Sequence, residues 1–154
     1  MAESEWLDDT EQRAWRSLLV LTLVGLPELE RTFRAHGLVQ VEYGLLVQLS
    51  ERPEGLRLCD LAERMNVSQS RLSHRMNKLL DRGIVEVRPS PGDGRVSIAY
   101  ITPKGLELVE RVAPEHVSDV RRLIFDHLEP AQVATLADAL GAVAQGLRPG
   151  ERPC

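Results

Sequence analysis

The sequence predicts a mainly α-helical protein with one small β-hairpin, an α+β fold that spans 1–154 as a single domain. Apolar residues recur at helical spacing through most of the chain. Between residues 84 and 101 the spacing changes to that of two β-strands around a turn rich in proline and glycine. A length of 154 residues suits one domain with its own hydrophobic core.

The bulk composition is that of a globular protein, with 43% hydrophobic and 27% charged residues. No apolar run reaches the roughly 18 residues of a membrane-spanning helix, so no membrane partner is expected. The acidic start lacks the basic region of a secretory signal. We expect Cys59 to pack as a small residue and Cys154 to lie on a frayed tail. These features favour a cytoplasmic location.

The first predicted helix begins at Asp8, which has capping-box spacing with Glu11. Its stretch over 18–26 is apolar on nearly every side, which is typical of a helix buried in a core or in a subunit interface. Pro27 should kink or interrupt the helix, because proline has no amide proton to donate. The helix should end at residues 36–37, where a glycine follows a histidine.

Three shorter helices are predicted next, over 41–49, 58–65 and 69–82. Four apolar residues share one face of the second of them: Leu58, Leu61, Ala62 and Met65. Ser68 should cap the third helix, and Gly83 should close it.

The predicted hairpin joins strands over 84–88 and 95–101 through a turn over 89–94. In the second strand apolar residues alternate, as expected for one face of a strand: Val96, Ile98 and Tyr100. The glycines at 92 and 94 should supply positive φ angles to the turn.

Two further helices are predicted after the hairpin. The first should begin with Thr102 as its cap and Pro103 at its first position, run to about residue 125 and bend at Pro114. The second should span 130–146.

Charge is unevenly distributed along the chain. The net charge is −4, but residues 57–95 carry eight basic and five acidic side chains, a net +3, whereas 1–56 and 96–154 are acidic. A basic segment between two acidic segments is expected of a protein whose central module binds DNA and whose terminal helices form the dimer. An excess of +3 over 39 residues is modest, and chance is the alternative explanation.

Helix, short turn, helix and hairpin follow one another within residues 56–101, and this order predicts a winged helix-turn-helix. An α-helix fits the major groove, where base edges present distinguishable donors and acceptors. On the predicted helix over 69–82, Leu72, Met76 and Leu79 share one face, and polar residues cover the other. The only acid of this helix is Asp81, at its end. A solvated surface is the alternative interpretation, but such surfaces usually mix acids with bases.

The hairpin tip supplies a second candidate contact. Asp93 can accept hydrogen bonds from turn amides, or pair with Arg95 and fix its direction. Arg95 would then enter the minor groove, where a narrow groove concentrates negative potential. The alternative is an ordinary turn with a solvated arginine.

Residues 56–106 resemble the MarR family of bacterial transcription regulators. The resemblance is carried by LCDLA at 58–62, VSQSRLSH at 67–74, LLDRGIV at 79–85, and DGR at 93–95 followed by ITPKG at 101–105. It implies a homodimer, with dimerisation helices of about 8–36 and 103–147 and a winged helix-turn-helix of about 39–102. It also implies a repressor that binds a pseudo-palindromic operator in double-stranded DNA and often responds to a small phenolic or anionic effector.

The residues expected to contact DNA lie on the predicted helix over 69–82 and on the hairpin: Ser68, Gln69, Ser70, Arg71, Ser73, His74, Arg75, Asn77, Lys78, Arg88, Asp93, Gly94 and Arg95. We expect His74 and Asn77 at base edges. The cations Arg71, Arg75, Lys78 and Arg88 are expected mainly at phosphates, together with the hydroxyls of Ser68 and Ser70.

The dimer contact is expected on the apolar stretch over 18–26 and on a stripe of the last helix: Val133, Leu136, Leu140 and Val143. Packing within one chain is the alternative. Trp15 and Tyr43 could line an effector pocket, but the core is the favoured location for both.

The sequence contains no nucleophile elbow, phosphate-binding glycine loop or metalloprotease motif, so no enzyme activity is expected. Its four histidines lack i, i+4 pairing and no Cys-x-x-Cys is present, so no metal or other cofactor is expected. The peroxide-sensing cysteine of one branch of the family has no counterpart here. A winged-helix module that binds protein rather than DNA is the alternative function.

Overall fold

The structure, a computed structural model, describes residues 6–147, which form seven α-helices and a three-stranded antiparallel sheet. The helices are α1 Asp9–Val20, α2 Leu26–Ala35, α3 Gln40–Ser50, α4 Leu58–Arg64, α5 Gln69–Asp81, α6 Pro103–Leu123 and α7 Pro130–Leu147. The strands are β1 Leu56–Arg57, β2 Val85–Pro89 and β3 Ser97–Ile101. The predicted α+β class is therefore confirmed.

The helix α1 begins as its sequence predicts. The Asp8 carboxylate accepts hydrogen bonds from the amides of Thr10 and Glu11, at 2.7 and 2.8 Å. The Glu11 carboxylate in turn accepts one from the Asp8 amide at 2.8 Å. This reciprocal capping satisfies three amides that the first turn of the helix would otherwise leave unpaired.

The break expected at Pro27 comes earlier in the chain, as a π-helical turn over Leu21–Gly25 that joins α1 to α2. Pro27 itself lies in the first turn of α2, directly after this π-helical turn. The helix α2 ends as predicted at Gly37, which has a φ of 70°. Beyond it, the Leu38 amide donates to the Phe33 carbonyl at 2.9 Å.

The core lies where α3, α4 and α5 meet α2, α6 and the sheet. Its fully buried side chains are mostly leucines, together with one phenylalanine, one methionine, one isoleucine and one valine: Phe33, Leu38, Leu45, Leu46, Leu49, Leu61, Leu72, Met76, Leu79, Ile84 and Val112. Cys59 is half-buried near the start of α4, whereas the predicted tail residue Cys154 lies outside the described residues.

The strand β1 is a two-residue element that the sequence pattern did not predict. It pairs with β3, so β3 is the central strand of the order β1-β3-β2. The fully buried residue of β3 is Ala99, which lies between the alternating residues Ile98 and Tyr100 and points to the other face of the strand. The side chains of Ile98 and Tyr100 occupy the space that a Cβ at Gly55 would need, and they stay half-exposed.

The helix α6 is fixed at its start to the segment that leads into β2. The Thr102 hydroxyl accepts a hydrogen bond from the Gly105 amide at 3.1 Å and lies 2.9 Å from the Ile84 carbonyl oxygen. At the two ends of the described chain, α1 and α7 contain no buried residue. The rest of the described chain therefore covers the apolar side chains of these outer helices only in part.

Candidate nucleic-acid interface

The core anchors one face of α5 and so determines which residues face outward. Leu72, Met76 and Leu79 are each at most 2% exposed. At about 100° per residue, their burial turns the opposite side of the helix to solvent. The exposed candidates on α5 and its cap are Ser68, Gln69, Ser70, Arg71, Ser73, His74, Asn77 and Lys78. The one acid of the helix, Asp81, is its last residue.

The N-terminus of α5 offers several hydrogen-bond donors. The Ser68 hydroxyl accepts from the Arg71 amide at 3.3 Å and lies 3.1 Å from the Ser70 hydroxyl. The first turn of a helix carries unpaired amides and the positive end of the helix dipole. The arrangement of this turn is suited to a phosphate oxygen.

Arg75 differs from the other candidates of α5 because it is only half-exposed. Its Nη1 lies 3.3 Å from Oε1 of Glu42 on α3, and that carboxylate is buried. The structure thus places this cation against the protein, whereas the sequence predicted it mainly at a phosphate.

The wing consists of β2, β3 and the turn between them. At its tip the Asp93 carboxylate accepts a hydrogen bond from the Arg95 amide at 3.0 Å. The Arg95 side chain is exposed and has no hydrogen-bond or ion-pair partner among residues 6–147. Of the two roles predicted for Asp93, the structure shows acceptance from a turn amide.

The glycines of the wing do not behave as predicted. Neither Gly92 nor Gly94 has a positive φ; the described glycines that do are Gly37, Gly55 and Gly83. The Asp93 hydrogen bond, together with one from the Val96 amide to the Asp93 carbonyl at 3.0 Å, shapes the turn instead.

Arg88 lies on β2 and is held along the wing. Its guanidinium carbon is 5.0 Å from the centre of the Tyr100 ring, and its side chain forms an ion pair with Glu86. A cation over an aromatic face is attracted by the ring quadrupole. Arg88 is exposed and can still approach a phosphate, but part of its charge is already compensated.

An open cleft of about 500 Å³ lies between the end of α2 and α5. Four cations, Arg34, Arg75, Lys78 and Arg82, line it together with Glu42 and Asp81. The Arg82 guanidinium donates to the Gly37 carbonyl at 2.6 Å. This hydrogen bond crosses the cleft and connects the end of α5 to the segment between α2 and α3.

The two residues predicted for an effector pocket have different environments, and neither lines this cleft. Tyr43 is 8% exposed, and its ring centre lies 5.0 Å from that of Phe33, so its core location is confirmed. Trp15 is 53% exposed on α1, so the core prediction is wrong for it within one chain. Its helix continues into the π-helical turn and packs little on the other elements of the described chain, so half of the Trp15 surface stays exposed.

A cluster of titratable side chains joins α2, α3 and α6, and sequence reasoning missed it. The His116 ring packs on Phe33 and Tyr43, and its Nδ1 is buried with no hydrogen-bond partner in the described chain. Burial lowers the pKa of His116, and the charge of Asp119 offsets part of that effect. Burial likewise raises the pKa of the Tyr43 phenol.

Asp119 forms the polar edge of this cluster. Hydrogen bonds from the Thr32 hydroxyl and the Arg122 guanidinium hold the pKa of its carboxyl below the usual range. Its sequence spacing from Thr32 gives no sign of this contact, because 87 residues separate the two.

Within residues 6–147, no group of three or more histidine, cysteine or acidic side chains is placed to hold a metal ion. The helices of this part of the chain are also too short or too polar to cross a bilayer.

Taken together, a winged helix-turn-helix with a basic, acid-poor α5 and an arginine at its wing defines a DNA-binding protein. A model of the MarR family matches residues 36–96. AbsC, a MarR family transcriptional regulator from Streptomyces coelicolor, is 38% identical, with a TM-score of 0.88 over 94% of this chain and 99% of that one. The chain belongs to the MarR family of transcription regulators, as its motifs predicted.

Two further relatives agree with this assignment. Sco3205, a MarR family regulator from Streptomyces coelicolor solved in complex with DNA, is 37% identical, with a TM-score of 0.89 over 97% of this chain and 95% of that one. The regulator MhqR of Bacillus subtilis is 26% identical over 58% of this chain, a match that spans 61% of MhqR. These relatives are transcription regulators, which confirms that the family is not one of enzymes.

Proposed function

We propose that this protein is a sequence-specific transcriptional repressor that binds a pseudo-palindromic operator in double-stranded DNA as a homodimer. The observation that carries the proposal is the exposed face of α5, which is polar and free of acids until Asp81, together with the exposed Arg95 of the wing. The complex of the 37% identical Sco3205 with DNA supports the same use of the fold.

The geometry suggests a division of roles within the interface. His74 and Asn77 occupy the part of α5 that lies opposite the core, where a helix in the major groove meets base edges. Arg71 and Lys78 flank them as phosphate contacts, and Ser68 and Ser70 donate to a phosphate at the helix N-terminus. Gln69 and Ser73 complete this face, and Arg95 enters the minor groove.

The homodimer is supported by the distribution of exposed apolar side chains. All fifteen strongly exposed large apolar residues of the described chain lie outside residues 39–102. On α7 the predicted stripe is extended by one residue and follows a heptad spacing: Val133, Leu136, Leu140, Val143 and Leu147. Exposed apolar side chains in this number are unfavourable in water, and a second copy of the same helices would cover them under twofold symmetry.

Twofold symmetry sets the form of the operator. Two copies of α5 would enter successive major grooves on one side of the duplex, so the half-sites would be inverted and centred about 10 base pairs apart. We further propose that the protein acts in the cytoplasm and that a small phenolic or anionic effector releases it from DNA. A ligand bound between the dimerisation helices and the winged helix-turn-helix would act by changing the separation of the two α5 helices.

Selection of duplexes from a random pool by the purified protein tests the proposal. We expect enrichment of an inverted repeat with this spacing, and reduced transcription in vitro from a promoter that carries it. A selected pool without a shared motif would contradict sequence-specific binding. Increased transcription would contradict repression but not DNA binding.

A further inference from the structure

Glu42 is the one charged side chain that is buried in the described chain, at 5% exposure. Burying a carboxylate is unfavourable unless both its oxygens find donors. Here Oε2 accepts from the Val39 amide at 3.1 Å, at the start of the same helix, and Oε1 accepts from Arg75 at 3.3 Å. The carboxylate therefore joins the first turn of α3 to the middle of α5.

A second contact joins α5 to the same part of the protein. Arg82 follows Arg75 by seven residues, which is two helical turns, and it donates to the Gly37 carbonyl at 2.6 Å. Two contacts on one side of a helix, two turns apart, restrict both its rotation about its axis and its tilt. The apolar contacts of Leu72, Met76 and Leu79 are less directional.

Lys78 lies between these two arginines on the same side of α5. It is exposed, and it has no hydrogen bond or ion pair within residues 6–147. Arg71, one turn before Arg75, is a fourth cation of this side, and it is also exposed. The four thus divide into two that are engaged by the protein, Arg75 and Arg82, and two that are available to a phosphate.

We infer that Arg75 is a positioning residue for DNA recognition, held by Glu42, and not a phosphate contact. The inference rests on the proposed function. His74 directly precedes Arg75, and Asn77 follows it by two residues, so a rotation of α5 displaces both. With side-chain tips about 5–6 Å from the helix axis, a rotation of about 15° moves them by roughly 1.5 Å. That displacement is enough to break a hydrogen bond to a base edge.

The test compares three single variants, Arg75→Gln, Glu42→Gln and Lys78→Gln, with the wild type. Binding is measured by fluorescence anisotropy on the selected operator duplex and on a scrambled duplex of equal length and composition, at several salt concentrations. Each phosphate contact contributes about 0.9 to the slope of log affinity against log salt concentration. The slope on the scrambled duplex therefore counts phosphate contacts, while the ratio of the two affinities reports base recognition.

For Lys78→Gln we expect the slope to fall by about 1.8, because a dimer loses two contacts. For Arg75→Gln we expect an unchanged slope and an operator preference reduced about tenfold or more. Glu42→Gln keeps an acceptor for the Val39 amide and leaves every cation in place, so it should fold even if Arg75→Gln does not. We expect it to reduce the operator preference in the same way without lowering the slope.

Two results would overturn the inference. One is an Arg75→Gln slope that falls as far as that of Lys78→Gln; the other is a Glu42→Gln protein that keeps the full operator preference. If the wild type itself prefers neither duplex, the proposed function fails. The two failures are therefore distinguishable in one experiment.

Discussion

The Arg95 amide donates a hydrogen bond to the Asp93 carboxylate at 3.0 Å, and this contact orders the tip of the wing. The carboxylate is engaged by the backbone, so the guanidinium of Arg95 is left without an acid partner in the described chain. The wing therefore presents an uncompensated cation from a turn whose backbone is held in place.

Replacing this arginine should weaken DNA binding without affecting assembly. We expect Arg95→Ala to lower operator affinity by about tenfold or more, because each arginine contact in a groove contributes roughly 1–3 kcal/mol. Gel shift measures the affinity, and sedimentation should show an unchanged dimer. Arg52→Ala, which removes an exposed arginine paired with Glu54 at 3.7 Å, is the matched control. Equal affinity for Arg95→Ala and wild type would remove the wing from the interface.

The apolar stripe of α7 should hold the dimer together. Leu140 and Val143 are exposed in the single chain and three residues apart, so they lie on one face of the helix. The double variant Leu140→Asp, Val143→Asp should sediment at the monomer mass at micromolar concentration, since it would bury two uncompensated charges in each subunit. Gln145→Glu, on the other side of the same helix, should remain dimeric. A double variant that still sediments as a dimer would place the interface elsewhere.

Gly105 should be intolerant of any side chain. A Cβ at this position in the first turn of α6 would overlap the Ile84 carbonyl oxygen, which is backbone and has little room to move. We expect Gly105→Ala to lower the free energy of unfolding by about 2–3 kcal/mol. A Cβ at Gly92 meets nothing within 4 Å, so Gly92→Ala should change it by less than about 0.5 kcal/mol. Urea denaturation measures both variants, and similar stabilities for the two would contradict the packing of α6 on the wing.

His116 should make the fold less stable in mild acid. Burial lowers its pKa from the ordinary value of about 6.5, so between the lowered pKa and 6.5 the unfolded chain binds more protons at this site than the folded chain. The free energy of unfolding therefore falls as pH decreases through that window. The pKa of Asp119 is also lowered, so it contributes in the same direction, but its effect is confined to pH values below about 4.

The variant His116→Phe isolates this contribution, because a phenyl ring can keep the contacts with Phe33 and Tyr43. Comparing urea denaturation at pH 7.5 and 5.5, we expect a smaller loss of stability for the variant than for the wild type. The nearby pair of His36 and Glu115, at 3.0 Å, is present in both proteins and cancels from the comparison. An equal loss in the two proteins would show that His116 does not titrate differently on folding.

Local signals predicted most of the fold. The capping box of Asp8, the cap Ser68 and the turn Thr102-Pro103 each act within four residues, so the helix starts that they mark were readable in the chain. The strand β1 was missed because two residues carry no periodicity. The inner face of β3 could not be predicted, because the strand buries Ala99 there, and alanine is a weak signal for a strand.

The candidate site was predictable only in part. The exposed face of α5 follows from helical geometry once its apolar stripe is known. The engagement of Arg75 does not, because its partner Glu42 lies 33 residues away and on another helix. The same applies to the cluster of His116, Tyr43 and Phe33, whose members are brought together by the packing of three helices.

The salt dependence of duplex binding by the wild-type protein tests the central claim most directly. We expect the selected operator to bind at least about a thousandfold more tightly than a scrambled duplex at physiological salt. We also expect affinity for both duplexes to fall steeply with salt, as release of several counterions requires. A protein that binds neither duplex at low salt, or both equally well, would contradict the account and favour a winged-helix module with a protein partner.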